Sequence, residues 1–278
     1  MLKLVLPLML GLSGAAAAQD EPIILITNDD GYESEDLRAL ARALNEDYIV
    51  FISAPRSNQS GTSTAISGLR GPLEWSQFEF DGAAESYWLD GTPSLSVHWG
   101  VDMVARSYGR EPDLVISGIN SGSNDAQSHH YSGTVGAART ARLRGLSAMA
   151  VSLGRGDERD VEGAAEWIAA FTGQVLESGE RVYLNINLPP VDLDAGSEAR
   201  IVPHADRMLD IIDRDAWPLT VEVGLRQGTS RFTYRMPGEV TADSDQSVLA
   251  EGMIAITPLQ LERFDEDAAD RLGSLLED

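Results

Sequence analysis

The chain has 278 residues and a formal net charge of -23 at pH 7, from 44 Asp and Glu against 21 Lys and Arg. A field of that sign repels nucleic-acid backbones and anionic lipid surfaces, which sets aside DNA, RNA and membrane-surface binding. It also repels phosphorylated small molecules, and any such substrate needs a local answer to that repulsion. Hydrophobic residues make up 43% of the chain, enough to bury a core and too many for a disordered protein. Cys is absent, which excludes disulfides, a thiol nucleophile and thiolate metal sites.

In chain order, Lys3, the apolar stretch Leu4 to Leu12 and the small residues Ala16-Ala17-Ala18 before Gln19 have the form of a signal peptide, residues 1–18, cleaved near Ala18. The apolar stretch is too short for a transmembrane helix. The expectation is an exported, periplasmic protein. Ile23 to Thr27 then predicts a buried strand feeding the polar turn Asn28-Asp29-Asp30-Gly31. Ser34 with Glu35 and Asp36 opens a helix carrying Leu37, Leu40, Ala41 and Leu44, and Tyr48 to Ile52 is a second strand. This is a β-α-β unit.

From Arg56 to Ser67 a long polar loop is expected, followed by strand-like pieces at Leu73 to Phe80 and Ser86 to Leu89. Gly91-Thr92-Pro93 opens a helix through about Arg106, and Asp113 to Ser117 is a buried strand followed by a second polar loop, Gly118 to His130. Ser132 caps a helix that stops at Gly145; Ala148 to Ser152, a helix from Val161 to Val175, and Val182 to Ile186 follow. Alternating strands and helices over residues 19–190 predict a doubly wound α/β core. Residues 191–278 read differently. Ile201 to Pro203, Leu219 to Val223, Phe232 to Tyr234 and Met253 to Ile256 suggest short antiparallel strands, with an acidic helix from Leu261 to Leu276.

In open α/β sheets ligands bind beyond the carboxyl ends of the strands, and three loops there carry unusual polar density. Asp29 and Asp30 are adjacent carboxylates. They suit a hard divalent cation, which takes oxygen ligands and neutralises both, or a turn whose Asp side chains bond to backbone amides. The loop Arg56 to Ser63, with Asn58 and Ser60, offers hydroxyl and amide groups for phosphate oxygens or a metal shell, or is a plain surface loop. The third loop holds Gly118, Asn120 and Asn124 and leads to Ser132, Gly133 and Thr134, where free N–H groups of a helix start bind anions. It fits neither the dinucleotide fingerprint nor the Walker P-loop, since no Lys follows the glycines. His129 and His130 are candidate general acids or ordinary polar surface, while His98 and His204 read as structural. No G-x-S-x-G elbow is present.

Taken together, Ile-Thr-Asn-Asp-Asp-Gly (26–31), Ala-Pro-Arg-Ser-Asn-Gln-Ser-Gly (54–61), Gly-Thr-Pro (91–93), Asp-Leu-Val-Ile-Ser-Gly-Ile-Asn (113–120), Tyr-Ser-Gly-Thr-Val (131–135) and Asn-Ile-Asn-Leu-Pro (185–189) resemble, in order and interval, the survival protein E (SurE) family of metal-dependent nucleotidases. The resemblance implies a Rossmann-like, doubly wound, mainly parallel sheet with a C-terminal β-hairpin and helix extension that helps form a homodimer or homotetramer. It implies one Mg²⁺ or Mn²⁺ per subunit, with ligands carried over onto Asp29, Asp30, Ser60 and Asn120, catalysis resting on Asp29, Asp30 and Asn120, and Asn28, Asn58, Gly118, Asn124, Ser132, Gly133 and Thr134 around the phosphate. The implied substrates are nucleoside 5′- and 3′-monophosphates. The alternatives are another phosphomonoester or short polyphosphate, or nucleotide binding without catalysis. Thr140 stands near a position where the family usually has Glu, and most members are cytoplasmic.

Overall fold

The computed structural model describes residues 21–68, 70–207 and 239–261. Their centre is a nine-stranded sheet in the order β3-β4-β2-β1-β5-β6-β7-β9-β8. The strands are β1 (Ile23–Thr27), β2 (Ile49–Pro55), β3 (Trp75–Gln77), β4 (Glu85–Leu89), β5 (Leu114–Ser121), β6 (Ser147–Leu153), β7 (Tyr183–Leu188), β8 (Ala199–Ile201) and β9 (Ile254–Pro258). The helices are α1 (Glu35–Leu44), α2 (Pro93–Tyr108), α3 (Gly133–Leu143), α4 (Val161–Ser178) and α5 (Asp245–Ala250). Strands β4, β2, β1, β5, β6 and β7 run parallel, β3 pairs antiparallel with β4, and β9 pairs antiparallel with β7.

The first strand shows why the fold has three layers. All five residues of β1 are buried, the pattern of a parallel strand covered on both faces. Side chains alternate across a strand, so Ile24 and Ile26 pack with Leu37, Leu40, Ala164 and Ile168 of α1 and α4. Ile23 and Leu25 pack on the other face with Val97, Val101, Ala137 and Ala141 of α2 and α3. Each of these branched side chains contributes about 1.5–3 kcal/mol by leaving water. The Ser34 hydroxyl caps α1 by accepting from the Leu37 N–H, and Asp160 caps α4 by accepting from Gly163.

The chain leaves β1 in one direction, to β2 and β4, and returns through α2 to β5 on the other side of β1. The carboxyl ends of β1 and β5 therefore diverge at a topological switch point, the ligand crevice of such sheets. β5 also carries an irregularity: Ser117 pairs with Ala150 but Asn120 with Ser152, so one extra residue is inserted. A bulge reverses the alternation beyond it and re-aims the following side chains, here Asn120 and Ser121.

Past residue 190 the expectation needs correction. β8 pairs parallel, not antiparallel, with β9, and both strands extend the central sheet. α5 has a serine capping box at Ser244 and Ser247, a pairing without the usual Glu or Gln that the sequence reading passed over. The pieces at Leu219 to Val223 and Phe232 to Tyr234 and the helix to Leu276 lie outside the described residues. Among the described residues no helix is long and apolar enough to cross a membrane.

Candidate active site

A cavity of about 500 Å³ opens at the switch point, within the range of small-molecule sites. Asp29, Ser60, Asn120, Asn124 and Ser132 line it, together with Asp125, Tyr131 and Arg155. The three polar loops singled out in the sequence thus converge.

Asp29 is 3% exposed. Its Oδ1 accepts from the Thr134 hydroxyl at 2.7 Å. Burial pushes its carboxyl above the ordinary value, Thr134 pulls it back, and the neighbouring Asp30 pushes it up again. Asp30 Oδ2 accepts from the Ser121 backbone N–H at 3.1 Å and Oδ1 from the Asn58 amide at 3.3 Å. Its carboxyl is raised as well, first by burial, against the Ser121 bond and with Asp36 adding repulsion; Arg159 and Arg155 act in the opposite sense. Two carboxylates held together and partly dehydrated are a destabilising arrangement until a cation neutralises them.

The remaining loops are pinned around this pair. The Gln59 N–H donates to the Asp29 carbonyl at 2.7 Å, which brings Ser60 alongside. Asn120 donates its Nδ2 to the Gly122 carbonyl at 2.6 Å, leaving Oδ1 as the atom able to ligate. The Ser132 hydroxyl caps α3 by accepting from Val135. Gly133 permits close approach: a Cβ built there would sit 2.9 Å from Asp29 Cβ and Oδ2 and 3.1 Å from Thr62 Oγ1. The N-terminus of α3, with its partial positive charge, is thereby seated against the buried carboxylate.

Several expected phosphate contacts have other partners. Asn28 is fully buried and closes its own turn, donating to the Gly31 carbonyl at 2.9 Å and accepting from the Gly31 N–H at 3.2 Å. Asn58 bonds Asp30 and accepts from the Ser60 N–H. Gly118 has φ +147° and lies so close to β6 that a Cβ would meet the Val151 carbonyl at 2.4 Å. These three residues shape the walls rather than line the cavity. Asn124 lines it and is fixed: its N–H donates to Asn187, its Nδ2 to Ser152, and its carbonyl accepts from Asn185. Thr140 donates back to the Gly136 carbonyl inside α3.

The histidine reading is altered. Ala126 to His130 form a 3₁₀ turn. His129 donates from Nδ1 to the Ala126 carbonyl at 2.6 Å, since that oxygen only accepts. Burial, with His204, His130 and Arg139 adding repulsion, lowers its pKa to about 4, so His129 is neutral at pH 7 and is no general acid there. Its ring is stacked on His204 at 3.9 Å between centroids. His204 in turn bonds Asp245 at 2.8 Å, and Asp245 also accepts from the Ala126 and Ala205 backbone. Burial alone would raise Asp245, but these bonds outweigh it and hold its carboxyl low.

Sequence reading missed Ser121, Arg155 and Asp245. Ser121 acts through its backbone, to which its residue type gives no clue. Arg155 follows a strand end, where a cation among so many acids was a usable signal.

Fold and site define a doubly wound α/β protein with a carboxylate-centred cavity at its switch point. A family model described as survival protein SurE matches residues 24–210. The 5′-nucleotidase SurE of Thermosipho africanus (strain TCF52B) is 32% identical over 262 residues, covering 92% of this chain and 98% of that protein. The 5′-nucleotidase SurE of Syntrophus aciditrophicus (strain SB) is 34% identical over 262 residues, covering 91% and 93%. The crystal structure of the SurE protein from Aquifex aeolicus superposes with a TM-score of 0.72 at 26% identity, over 92% of this chain and all of that one. The chain belongs to the SurE family.

Proposed function

We propose that this protein is a metal-dependent nucleotidase that hydrolyses nucleoside 5′- and 3′-monophosphates to nucleoside and phosphate. The observation that carries the reading is the pair of buried Asp29 and half-buried Asp30 at the switch point, set against the start of α3, in a chain whose relatives are named 5′-nucleotidases.

Among the described residues no three His, Cys, Asp or Glu side chains form a metal cage. The donor set is two carboxylates with the Ser60 hydroxyl and the Asn120 amide oxygen. That set suits Mg²⁺ or Mn²⁺, which bind through one or two carboxylates and fill their remaining positions with water and substrate phosphate. When bound there, one such cation per subunit supplies charge neutralisation at the phosphoryl oxygens and lowers the pKa of a water. Asp29 and Asp30 hold the site together against their own repulsion, and Asn120 fixes its third side. The Thr134 hydroxyl and backbone N–H both turn to the Asp29 carboxyl, and the Gly133 N–H, with the positive end of α3 behind it, faces the phosphoryl oxygens. Transfer goes directly to water; a phosphorylated Asp29 trapped during turnover would overturn that version. Lys3, Leu4 to Leu12 and Ala16 to Ala18 support export, and the family resemblance supports a homodimer or homotetramer. The N-terminal residue and native mass of the purified protein read these two directly.

The test is phosphate release from a nucleoside 5′-monophosphate by protein beginning at Gln19. EDTA should lower the rate by at least 100-fold and excess Mn²⁺ should restore it. Release at the untreated rate after full chelation would overturn the metal dependence.

A further inference from the structure

Among the described residues, Arg155 is the one cationic side chain on the cavity wall. It lies just past β6, away from the three loops that supply the carboxylates and α3. Its head is positioned: Nε donates to the Ser121 carbonyl at 3.2 Å, while the Ser121 N–H donates to Asp30 Oδ2. One residue therefore ties the guanidinium and the carboxylate to opposite ends of itself. Gly122 makes room for this, because a Cβ there would stand 3.1 Å from Arg155 Nε and 3.6 Å from Nη2.

The bond through Nε leaves the two terminal nitrogens, the fork that matches phosphate oxygens. Arg155 forms no ion pair with any described residue. In a chain with 44 acids and 21 cations, an arginine on a cavity wall that acts on Asp30 only from a distance and has no described carboxylate in ion-pair contact is fitted for an anion that arrives with the substrate. We propose that Arg155 is a substrate-binding residue of this site, receiving non-bridging oxygens of the phosphoryl group across the cavity from the start of α3. The inference rests on the nucleotidase reading above. It also answers the repulsion that the net charge sets up: the anion meets a fixed positive fork in addition to any cation held by Asp29 and Asp30.

Arg155→Gln and Arg155→Lys separate this role from a structural one. Inorganic phosphate is titrated calorimetrically into Mn²⁺-saturated protein, Mn²⁺ is titrated into metal-free protein, and KM is measured for a nucleoside 5′-monophosphate. Arg155→Gln should weaken phosphate binding and raise KM by about 10- to 100-fold, as loss of a charge-assisted pair does. Its Mn²⁺ affinity should hold or tighten, because a like charge near the carboxylates has gone. Arg155→Lys should fall between the two, keeping the charge without the fork. Phosphate affinity within twofold of wild type in Arg155→Gln would overturn the proposal, as would parallel loss of phosphate and Mn²⁺ affinity, the mark of a collapsed wall. Absence of phosphate binding and turnover in the wild type would instead overturn the nucleotidase reading itself.

Discussion

Asp29→Asn should lower metal-dependent kcat/KM by about 10³-fold or more, yet leave the metal-free protein at least as heat-stable as wild type. On the proposed metal-dependent reading, the loss follows from removing one of two charges that would anchor a cation facing the phosphoryl oxygens, an interaction worth several kcal/mol of transition-state stabilisation. The stability follows from the burial of Asp29. Its carboxylate is dehydrated and faces Asp30, so its folded-state pKa lies above the 3.8 of the free side chain. A carboxyl with a raised folded pKa binds its proton more tightly when folded. The metal-free wild type therefore loses stability as pH rises through that folded pKa. Asn carries no such charge, and its Oδ1 can still accept from Thr134. The Tm gap between metal-free variant and wild type should thus be larger at pH 7 than at pH 3.5. Added Mn²⁺ at 100 times its Kd should stabilise the wild type by about 2.7 kcal/mol and the variant hardly at all. Thermal unfolding at both pH values, with and without Mn²⁺, checks each arm. A variant with normal activity would remove Asp29 from the metal site.

Gly133→Ala should cost about 100-fold in kcat/KM, against the ordinary expectation for such a change. In a helix, alanine for glycine usually gains up to about 1 kcal/mol. At this position the added methyl would stand 2.9 Å from Asp29 Cβ and Oδ2. Either α3 retreats from the carboxylate or Asp29 moves away from Ser60 and Asn120. A displacement near 1 Å at a reacting centre costs about that factor, and crowding a packed wall costs about 1–3 kcal/mol. A lowered Tm together with weaker Mn²⁺ binding is the expected pair of readings. Wild-type values for both would show that the start of α3 does not constrain the pair.

The core of the fold was legible in the sequence because its determinants are local. The continuous apolar run at Ile23 to Thr27, the hydroxyl caps at Ser34 and Ser132, and Gly145 after α3 announce themselves by composition and spacing, and the α/β alternation follows from them. The carboxylate pair was legible for the same reason: two adjacent acids at a strand end are unusual in themselves. Roles fixed by distant partners were not legible. Asn28 and Asn58 have the residue type of a ligand but serve turn and loop, a choice made by where Gly31 and Asp30 fall in space. The low pKa of His129 depends on burial and on His204, 75 positions further on. The direction of β8 depends on its pairing with β9 across the whole extension.

Asp245 has a bearing on when the site comes into being. It receives the Ala126 N–H and the Ala205 N–H, while Asn185 and Asn187 hold Asn124, so the wall from Asn124 to Ser128 is fastened by the later part of the chain. In the full-length protein, Asp245→Ala should raise KM for nucleotide about tenfold while Mn²⁺ affinity stays near wild type; equal loss of both would mean that Asp245 supports the sheet at large. Synthesis runs from the N-terminus and early segments fold first, so a growing chain can form its carboxylate pair well before its substrate wall.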